Sequence, residues 1–489
     1  MNKMLRLMPL AAALLLAGCV NLAPTYERPA SPIAEVWPQD GEAYSLSEVK
    51  RASLPRWQDF IVDERLRSVI EEGLKNNRSL RQAALNVELA RAQYGIQRSE
   101  LFPTVAAVAQ ETAQHTPRTA SALGVSSTTH SYTAQLAMTS YELDFFGRIR
   151  NLNEQALQAY LQSEDAHRSA QSALIAEIAM AWLTLGADQA QLQLQRETLA
   201  SQEATYKLME ESYKAGAASQ LDLEQARTTV KAARAAIVSY VRAVAQDKNA
   251  LELLVGNSVD EKLLPTGLEL NATLAATMPE GLPSEVLFNR PDIWSAERGM
   301  RSANAYIGAA RAAFFPSISL SAGLGSSALD LSDLFSGGSG MWSFTPNLTI
   351  PIFTGGLNLA NLRAAEATQK IAVAQYEEAI QTAFREVRDA LAMEGTVERE
   401  VQARQEYADA AQKTYELSDA RYKAGAAAYT EVLDAQRAAV AAKQTLIATQ
   451  LSRASSLVTL YKVLGGGSTL PEDEEVQKGN EQHAGSGEG

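Results

Sequence analysis

Two stretches of this chain are copies of one another, and that duplication limits the fold more than any single motif does. Tyr213-Lys-Ala-Gly-Ala-Ala218 returns unchanged as Tyr422-Lys-Ala-Gly-Ala-Ala427. In step with it, Asp222 aligns with Glu431, Ala226 with Ala435, Leu251 with Leu460 and Gly256 with Gly465, without a gap. Upstream, Ala90, Ala92, Gly95, Arg98, Phe102 and Pro103 reappear as Ala303, Ala305, Gly308, Arg311, Phe315 and Pro316. Residues 75–256 and 288–465 therefore read as two repeats of one unit. Two long copies are too few for a many-repeat solenoid and point to an internal pseudo-twofold.

Within each copy the Phe-Pro pair marks a change of hydrophobic period from helical to alternating. After Phe315-Pro316, Ile318, Leu320, Ala322 and Leu324 alternate with Ser317, Ser319, Ser321 and Gly323. Trp342, Phe344, Pro346, Leu348, Ile350 and Ile352 then alternate with Ser343, Thr345, Asn347, Thr349 and Pro351. Copy one carries a weaker version in Val105, Ala107 and Ala109, followed by Tyr132, Ala134, Leu136 and Met138. The pattern predicts two strands per copy, within about 102–143 and about 315–353, each near the ten-residue length that crosses an outer membrane when tilted. The polar stretches His115–Thr129 and Ser326–Gly340 are predicted as exposed loops. Four strands cannot close a membrane barrel, which needs about eight. Either subunits pool their strands, or these are two hairpins packed on helices of a soluble domain.

The helical parts are longer than a globular core uses. From Arg148 to Tyr213 and from Asn358 to Tyr422 there is no proline, and Gly186 and Gly395 are the only glycines. Each stretch predicts a rod of roughly 100 Å. Apolar residues step by threes and fours, through Leu174, Ile178, Trp182 and Leu185 in the first and Ile380, Phe384, Val387 and Leu391 in the second. That is a coiled-coil seam. Each rod ends at Lys-Ala-Gly, where glycine suits the left-handed turn past a helix C-terminus. Helices then return over about Leu221–Leu254 and Glu431–Leu464.

The N-terminus opens with Lys3 and Arg6, runs through the apolar Leu7–Leu16, and reaches Leu16-Ala17-Gly18-Cys19. These features describe a secretory signal over residues 1–18. Cys19 is the single cysteine of 489 residues, which excludes a disulfide framework and a cysteine metal cluster. The Leu-Ala-Gly-Cys run resembles a bacterial lipobox, so Cys19 is expected to carry S-diacylglycerol and an N-acyl chain, a stable anchor. By the same resemblance Val20, following in place of aspartate, points to the outer membrane. The net charge of −13 speaks against nucleic acid as a partner. No run of about 18 consecutive apolar residues follows the signal, so any membrane crossing falls to β-strands. Around the repeats lie residues 19–74, an N-terminal strap and equatorial segment, then the linker 257–287, and the segment 466–489, ending in a tail expected to be disordered.

Further runs carry a family likeness: Tyr141-Glu142-Leu143-Asp144-Phe145-Phe146-Gly147-Arg148, Arg290-Pro291-Asp292-Ile293, Pro351-Ile352-Phe353-Thr354-Gly355-Gly356 and Leu433-Asp434-Ala435-Gln436-Arg437. Together with the lipobox and Ala309–Pro316, the sequence resembles the TolC-type outer-membrane channels of tripartite exporters, in their OprM-like lipoprotein branch. The resemblance implies an α+β membrane protein. A homotrimer would pool four strands per subunit into a twelve-stranded transmembrane β-barrel, continued by a twelve-helix periplasmic α-barrel. It implies a passive efflux duct fed by a periplasmic adaptor and an inner-membrane RND transporter. It also implies that Asp434 and Thr430 line the periplasmic constriction and that Arg421 and Tyr422 hold the closed state. The turn residues Lys214, Gly216, Ala217, Lys423, Gly425 and Ala426 would form the adaptor-docking tips. Copy one has Gln225 at the place of Asp434, so a trimer would hold three constriction acids. Ducts for metal ions or for type I protein export share the scaffold, and a structural coiled-coil lipoprotein is the remaining alternative.

Nothing in the sequence reads as catalytic. His115, His130, His167 and His483 fall in predicted loops, a helix surface and the tail, and no second histidine sits at ligand spacing on a helix. No phosphate loop, nucleophile elbow or zinc signature occurs. No cofactor is expected beyond the covalent lipid.

Overall fold

The computed structural model describes residues 20–34, 54–122, 124–269, 273–275 and 284–467. Cys19, its leader and the tail from residue 468 lie outside the described residues. In chain order the elements are α1 (Trp57–Phe60), α2 (Glu64–Asn76), α3 (Arg78–Ser99), β1 (Val105–Thr116), β2 (Ser127–Leu143), α4 (Arg148–Lys214) and α5 (Gln220–Val255). After the linker come α6 (Pro291–Ala312), β3 (Ser317–Ala328), β4 (Gly340–Thr349), α7 (Leu357–Lys423) and α8 (Tyr429–Val463). The two long helices have 67 residues each. The chain forms two compact units. One takes residues up to Ala30, Asn86–Ser163 and Ser295–Tyr376, the other Ser31–Leu85, Glu164–Trp294 and the chain from Glu377. Each unit draws on both sequence copies.

The first unit contains an antiparallel four-stranded sheet in the order β1-β2-β3-β4. Its register puts all the alternating apolar residues on one face. Leu136 sits between Ala107 and Leu324, Leu324 pairs with Trp342, and Ala322 pairs with Phe344. A slip of one residue would turn each apolar set to the opposite face, so the alternation fixes the register. The opposite face bears Gln110, Thr133 and Gln135 from β1 and β2, and Ser319, Ser321, Ser343 and Thr345 from β3 and β4. The ladder between β2 and β3 breaks once, between Met138 and Tyr141. There Ser140 takes a left-handed φ of 53° and donates its N–H to Ser321 Oγ at 3.1 Å, so a bulge absorbs the extra residue.

The strands differ from the predicted ones at their ends. β1 and β2 extend through His115, Thr128 and Thr129, because hydroxyl residues pair in a ladder as well as apolar ones while leaving no hydrophobic alternation. β4 stops at Thr349, short of Ile352, since Pro351 has no N–H to continue a ladder. Pro346 is nonetheless inside β4, opposite Leu320.

In the second unit, the first predicted seam is buried throughout: Leu174, Ile178, Trp182 and Leu185 are all at 5% exposure or less. Each such side chain contributes about 1.5–3 kcal/mol by leaving water. In α7 the buried positions are Ile380, Ala383, Val387 and Ala390, with Phe384 and Leu391 half-buried beside them. Alanine at the true seam leaves a shallow surface, so the larger side chains at its margin mislead a reading by hydrophobicity. Among the described residues one helix, α4, is long and apolar enough by composition to cross a membrane, yet 61% of that window is buried inside the protein. Its apolarity is explained by the core. The Arg290-Pro-Asp run is also structural. Arg290 grips Asp292 at 3.0 and 2.6 Å, Glu386 of α7 at 2.9 Å and the Val463 carbonyl of α8 at 2.8 Å.

Candidate functional site

The sequence-predicted tip and constriction residues all lie in the second unit. Both long helices end in the same backbone motif. In the first turn Gly216 adopts φ +73°, its N–H donates to the Tyr213 carbonyl at 3.0 Å, and that of Ala217 to Ser212 at 2.8 Å. In the second, Gly425 adopts φ +73°, donating to Tyr422 at 2.8 Å, while Ala426 donates to Arg421 at 2.9 Å. This is the Schellman pattern, which satisfies the last carbonyls of a helix and needs a residue at positive φ. A Cβ on either glycine would meet nothing within 4 Å, so only the backbone conformation demands glycine. Lys214 and Lys423 stand exposed on the last turns, near Glu210 at 3.5 Å and Asp419 at 2.6 Å.

The helices that leave the two turns begin differently. Ser219 caps α5 in a reciprocal capping box with Asp222. The matching position before α8 is Ala428, which makes no side-chain cap. Glu431, the counterpart of Asp222, is instead 3.4 Å from Arg421 Nη1, and Arg421 Nη2 donates to the Ala426 carbonyl at 3.2 Å. An exposed ion pair thus replaces a cap in copy two. The signal was present in the sequence as Ser219 against Ala428, within a repeat otherwise read as equivalent.

Tyr422 lies at the contact between the two hairpins. Its hydroxyl is 3.8 Å from Met209 Sδ, and its ring is 5.4 Å from that of Tyr429. Met209, Ala226, Tyr429, Val432 and Leu433 form the buried cluster beneath it. Burial pushes the Tyr422 phenol above its ordinary value, helped by the charge of Asp222. Burial, with Tyr422 and Tyr415 nearby, pushes Tyr429 up to about 12. Both tyrosines stay neutral at physiological pH. Sequence reasoning missed Met209 and Tyr429 because neither belongs to the repeated motif.

Asp434 and Thr430 project from α8 and are exposed. The Asp434 side chain is 78% exposed and 3.5 Å from Arg437. Its counterpart Gln225 is half-buried, with an Oε1 atom that is buried and has no hydrogen-bond partner. The two copies therefore present different chemistry at this level, an exposed acid in one and a sequestered amide in the other.

In the first unit the segment following Cys19 is held along α6. The carbonyls of Leu22 and Pro24 accept from Arg311 Nη1 at 3.2 Å and Asn304 Nδ2 at 2.9 Å. Tyr26 donates to Glu297 Oε1 at 3.0 Å, Arg28 pairs with the other oxygen, and Arg301 adds a 2.8 Å contact while covering the Tyr26 ring. Burial alone would raise the Glu297 carboxyl, but the hydrogen bonds from Arg301, Arg28 and Tyr26 outweigh it and hold it below the usual range. Val20 and Asn21 lie against Gly147, directly after the strand end at Leu143.

His115 and His130 are in strands rather than a loop, at 3.0 Å from Thr128 Oγ1 and from Glu111 Oε1. Among the described residues no group of three or more His, Cys, Asp or Glu could hold a metal ion.

A family profile described as "Outer membrane efflux protein" matches residues 69–257 and 282–466. The antibiotic efflux pump outer membrane protein ArpC of Pseudomonas putida is 47% identical over 457 residues, covering 93% of this chain and 94% of that protein. The toluene efflux pump outer membrane protein TtgC, also of Pseudomonas putida, matches with the same identity and coverage. Among solved structures, the open state of the Neisseria gonorrhoeae MtrE outer membrane channel superposes with a TM-score of 0.83 at 36% identity, over 92% of this chain and 99% of that one.

Proposed function

This chain belongs to the outer membrane efflux protein family, and on that footing we propose that it is the passive exit duct of a tripartite RND-type efflux pump. It sits in the outer membrane of a Gram-negative bacterium and passes drugs and other small molecules. The relatives named for toluene and antibiotic efflux suggest aromatic solvents and antibiotics as cargo. The observation that carries the reading is the sheet, with one apolar face, one hydroxyl face, and β1 and β4 left as edges within the chain. Unpaired edges are not tolerated in a bilayer, and four strands are too few to close, so subunits must share one wall; the resemblance to trimeric outer-membrane efflux channels sets their number at three.

The periplasmic adaptor docks at the two glycine turns, and the inner-membrane transporter supplies the energy. Acyl chains on Cys19 anchor the subunit beside the strap. Asp434 and Thr430 of three subunits line the periplasmic constriction, where three acids favour cations, and Arg421 with Tyr422 holds it closed. The test is planar-bilayer recording of the purified trimer with Asp434→Ala. Conductance is expected to rise and cation preference to fall, and unchanged currents would remove Asp434 from the constriction. Metabolic acyl labelling that persists after Cys19→Ala would reject the lipid assignment.

A further inference from the structure

We propose that the β-barrel section of this duct is a charge-silent passage, admitting anionic, neutral and cationic solutes alike. Charge selection is then left entirely to the helical section. The inference rests on the duct reading and follows from what the register places on the hydroxyl face. Only one face of the sheet can meet lipid, the one carrying Leu136, Leu324, Trp342 and Phe344. The opposite face therefore meets water.

On that face β3 contributes Ser317, Ser319 and Ser321, then Gly323 and Gly325. β4 contributes Ser343, Thr345, Asn347 and Thr349. β1 and β2 add glutamines, threonines and serines interrupted only by small apolar residues. One of these amides, Gln135, lies over the two glycines, where an added Cβ would come within 2.8 Å of its side chain. One acidic residue of the strands shares this face, Glu142 opposite Ser319. Arg148 neutralises it through two contacts of 2.9 and 2.6 Å. The strands' remaining acidic and basic side chains, Glu111, His115 and His130, are on the lipid-side face by register, with Glu111 bound to His130.

Hydroxyl and amide side chains exchange hydrogen bonds with water without fixing a sign of charge. A passage lined by them imposes no field on a solute, and it offers no aromatic surface on which an apolar solute would linger. A single unpaired unit charge within about 4 Å would change the local concentration of a monovalent ion about fivefold even in water, so the claim is measurable.

The experiment uses cysteine scanning of the full chain in outer-membrane vesicles, since Cys19 is the only native cysteine. Thr133→Cys, Ser319→Cys and Thr345→Cys are treated with a sulfonate and a trimethylammonium methanethiosulfonate, with rates corrected by a free thiol in solution. Both reagents should modify all three positions, at rates within about threefold of each other. Leu136→Cys and Leu320→Cys, on the apolar face, should react at least about tenfold more slowly with either reagent. A charge bias above threefold at the hydroxyl positions overturns the charge-silent passage while leaving the duct intact. Equal reactivity of the two faces, or no reaction anywhere, overturns the duct reading itself.

Discussion

Arg421 reaches Glu431 across the second turn at 3.4 Å, and with its other nitrogen it holds the Ala426 carbonyl of that same turn. In the first copy the Ser219 hydroxyl instead caps the start of α5 together with Asp222, and the position matching Arg421 is Ser212. The second hairpin is therefore fastened by a solvent-exposed charge pair, which salt weakens. Exposed pairs contribute about 0.2–1 kcal/mol each. Arg421→Ala is expected to raise the open frequency of the trimer about two- to fivefold in bilayer recordings. Raising the salt concentration should reproduce part of that effect in the unmutated channel and none of it in the variant.

Ala428→Ser supplies the missing cap. With Glu431 three residues on, the substitution completes a Ser-x-x-Glu capping box and should stabilise the start of α8 by about 0.5–1 kcal/mol. Because Glu431 is then drawn toward its own helix, the Arg421→Ala effect should shrink in the double variant. Hydrogen exchange of the first turn of α8, followed by mass spectrometry, reads the stabilisation directly. Unchanged protection would mean that the uncapped end is not the weak point.

Glu297→Gln tests the strap. Removing the charge leaves Arg28 and Arg301 without their common carboxylate, one of whose two acceptor oxygens becomes an NH2 donor. Since both arginines are partly exposed, the expected cost is about 1–3 kcal/mol. The Glu297 carboxyl is depressed in the folded protein, so its contribution is complete above the ordinary glutamate value of about 4.3. It is lost as pH falls through the lower folded-state value. Protease cleavage within residues 20–30 should therefore accelerate below pH about 4 in the unmutated chain. It should be fast and nearly independent of pH in the variant.

Asp247 of α5 faces Asp188 of α4, and burial together with the neighbouring carboxyl pushes it up to about 6. An acid raised in the folded state contributes stability at low pH that is lost as pH rises through the folded value. Thermal stability of the helical unit should consequently fall between about pH 4 and 6, the interval from the ordinary aspartate value to the folded one. Asp247→Asn should flatten that slope and gain on the order of 1 kcal/mol at about pH 7.5, solvent screening of the half-exposed pair allowed for. A slope unchanged by the substitution would assign the titration elsewhere.

The repeat, the strand faces and the glycine turns could all be read from the sequence, because each rests on local periodicity or on a backbone conformation that one residue type supplies. Alternation at Ile318, Leu320, Ala322 and Leu324 names the face before any partner strand is known, since side chains alternate about every strand. Gly216 and Gly425 announce their turns for the same local reason. The constriction role proposed for Asp434 rests on the resemblance carried by Leu433–Arg437, since spacing alone does not single that residue out.

Only the tertiary structure decided which strand lies beside which, how the strap is clamped on Glu297, and that Met209, Tyr422 and Tyr429 meet between the hairpins. These contacts join residues far apart in the chain, and no periodicity records them. The α7 seam shows the limit from the other side: Ala383 and Ala390 bury well yet barely raise a hydrophobic signal, while Phe384 raises it and stays at the margin. The sequence by itself determined the elements and the strand faces, because those depend on neighbours within a few residues. The fold alone determined the partners, because close packing selects shape across space and not order along the chain.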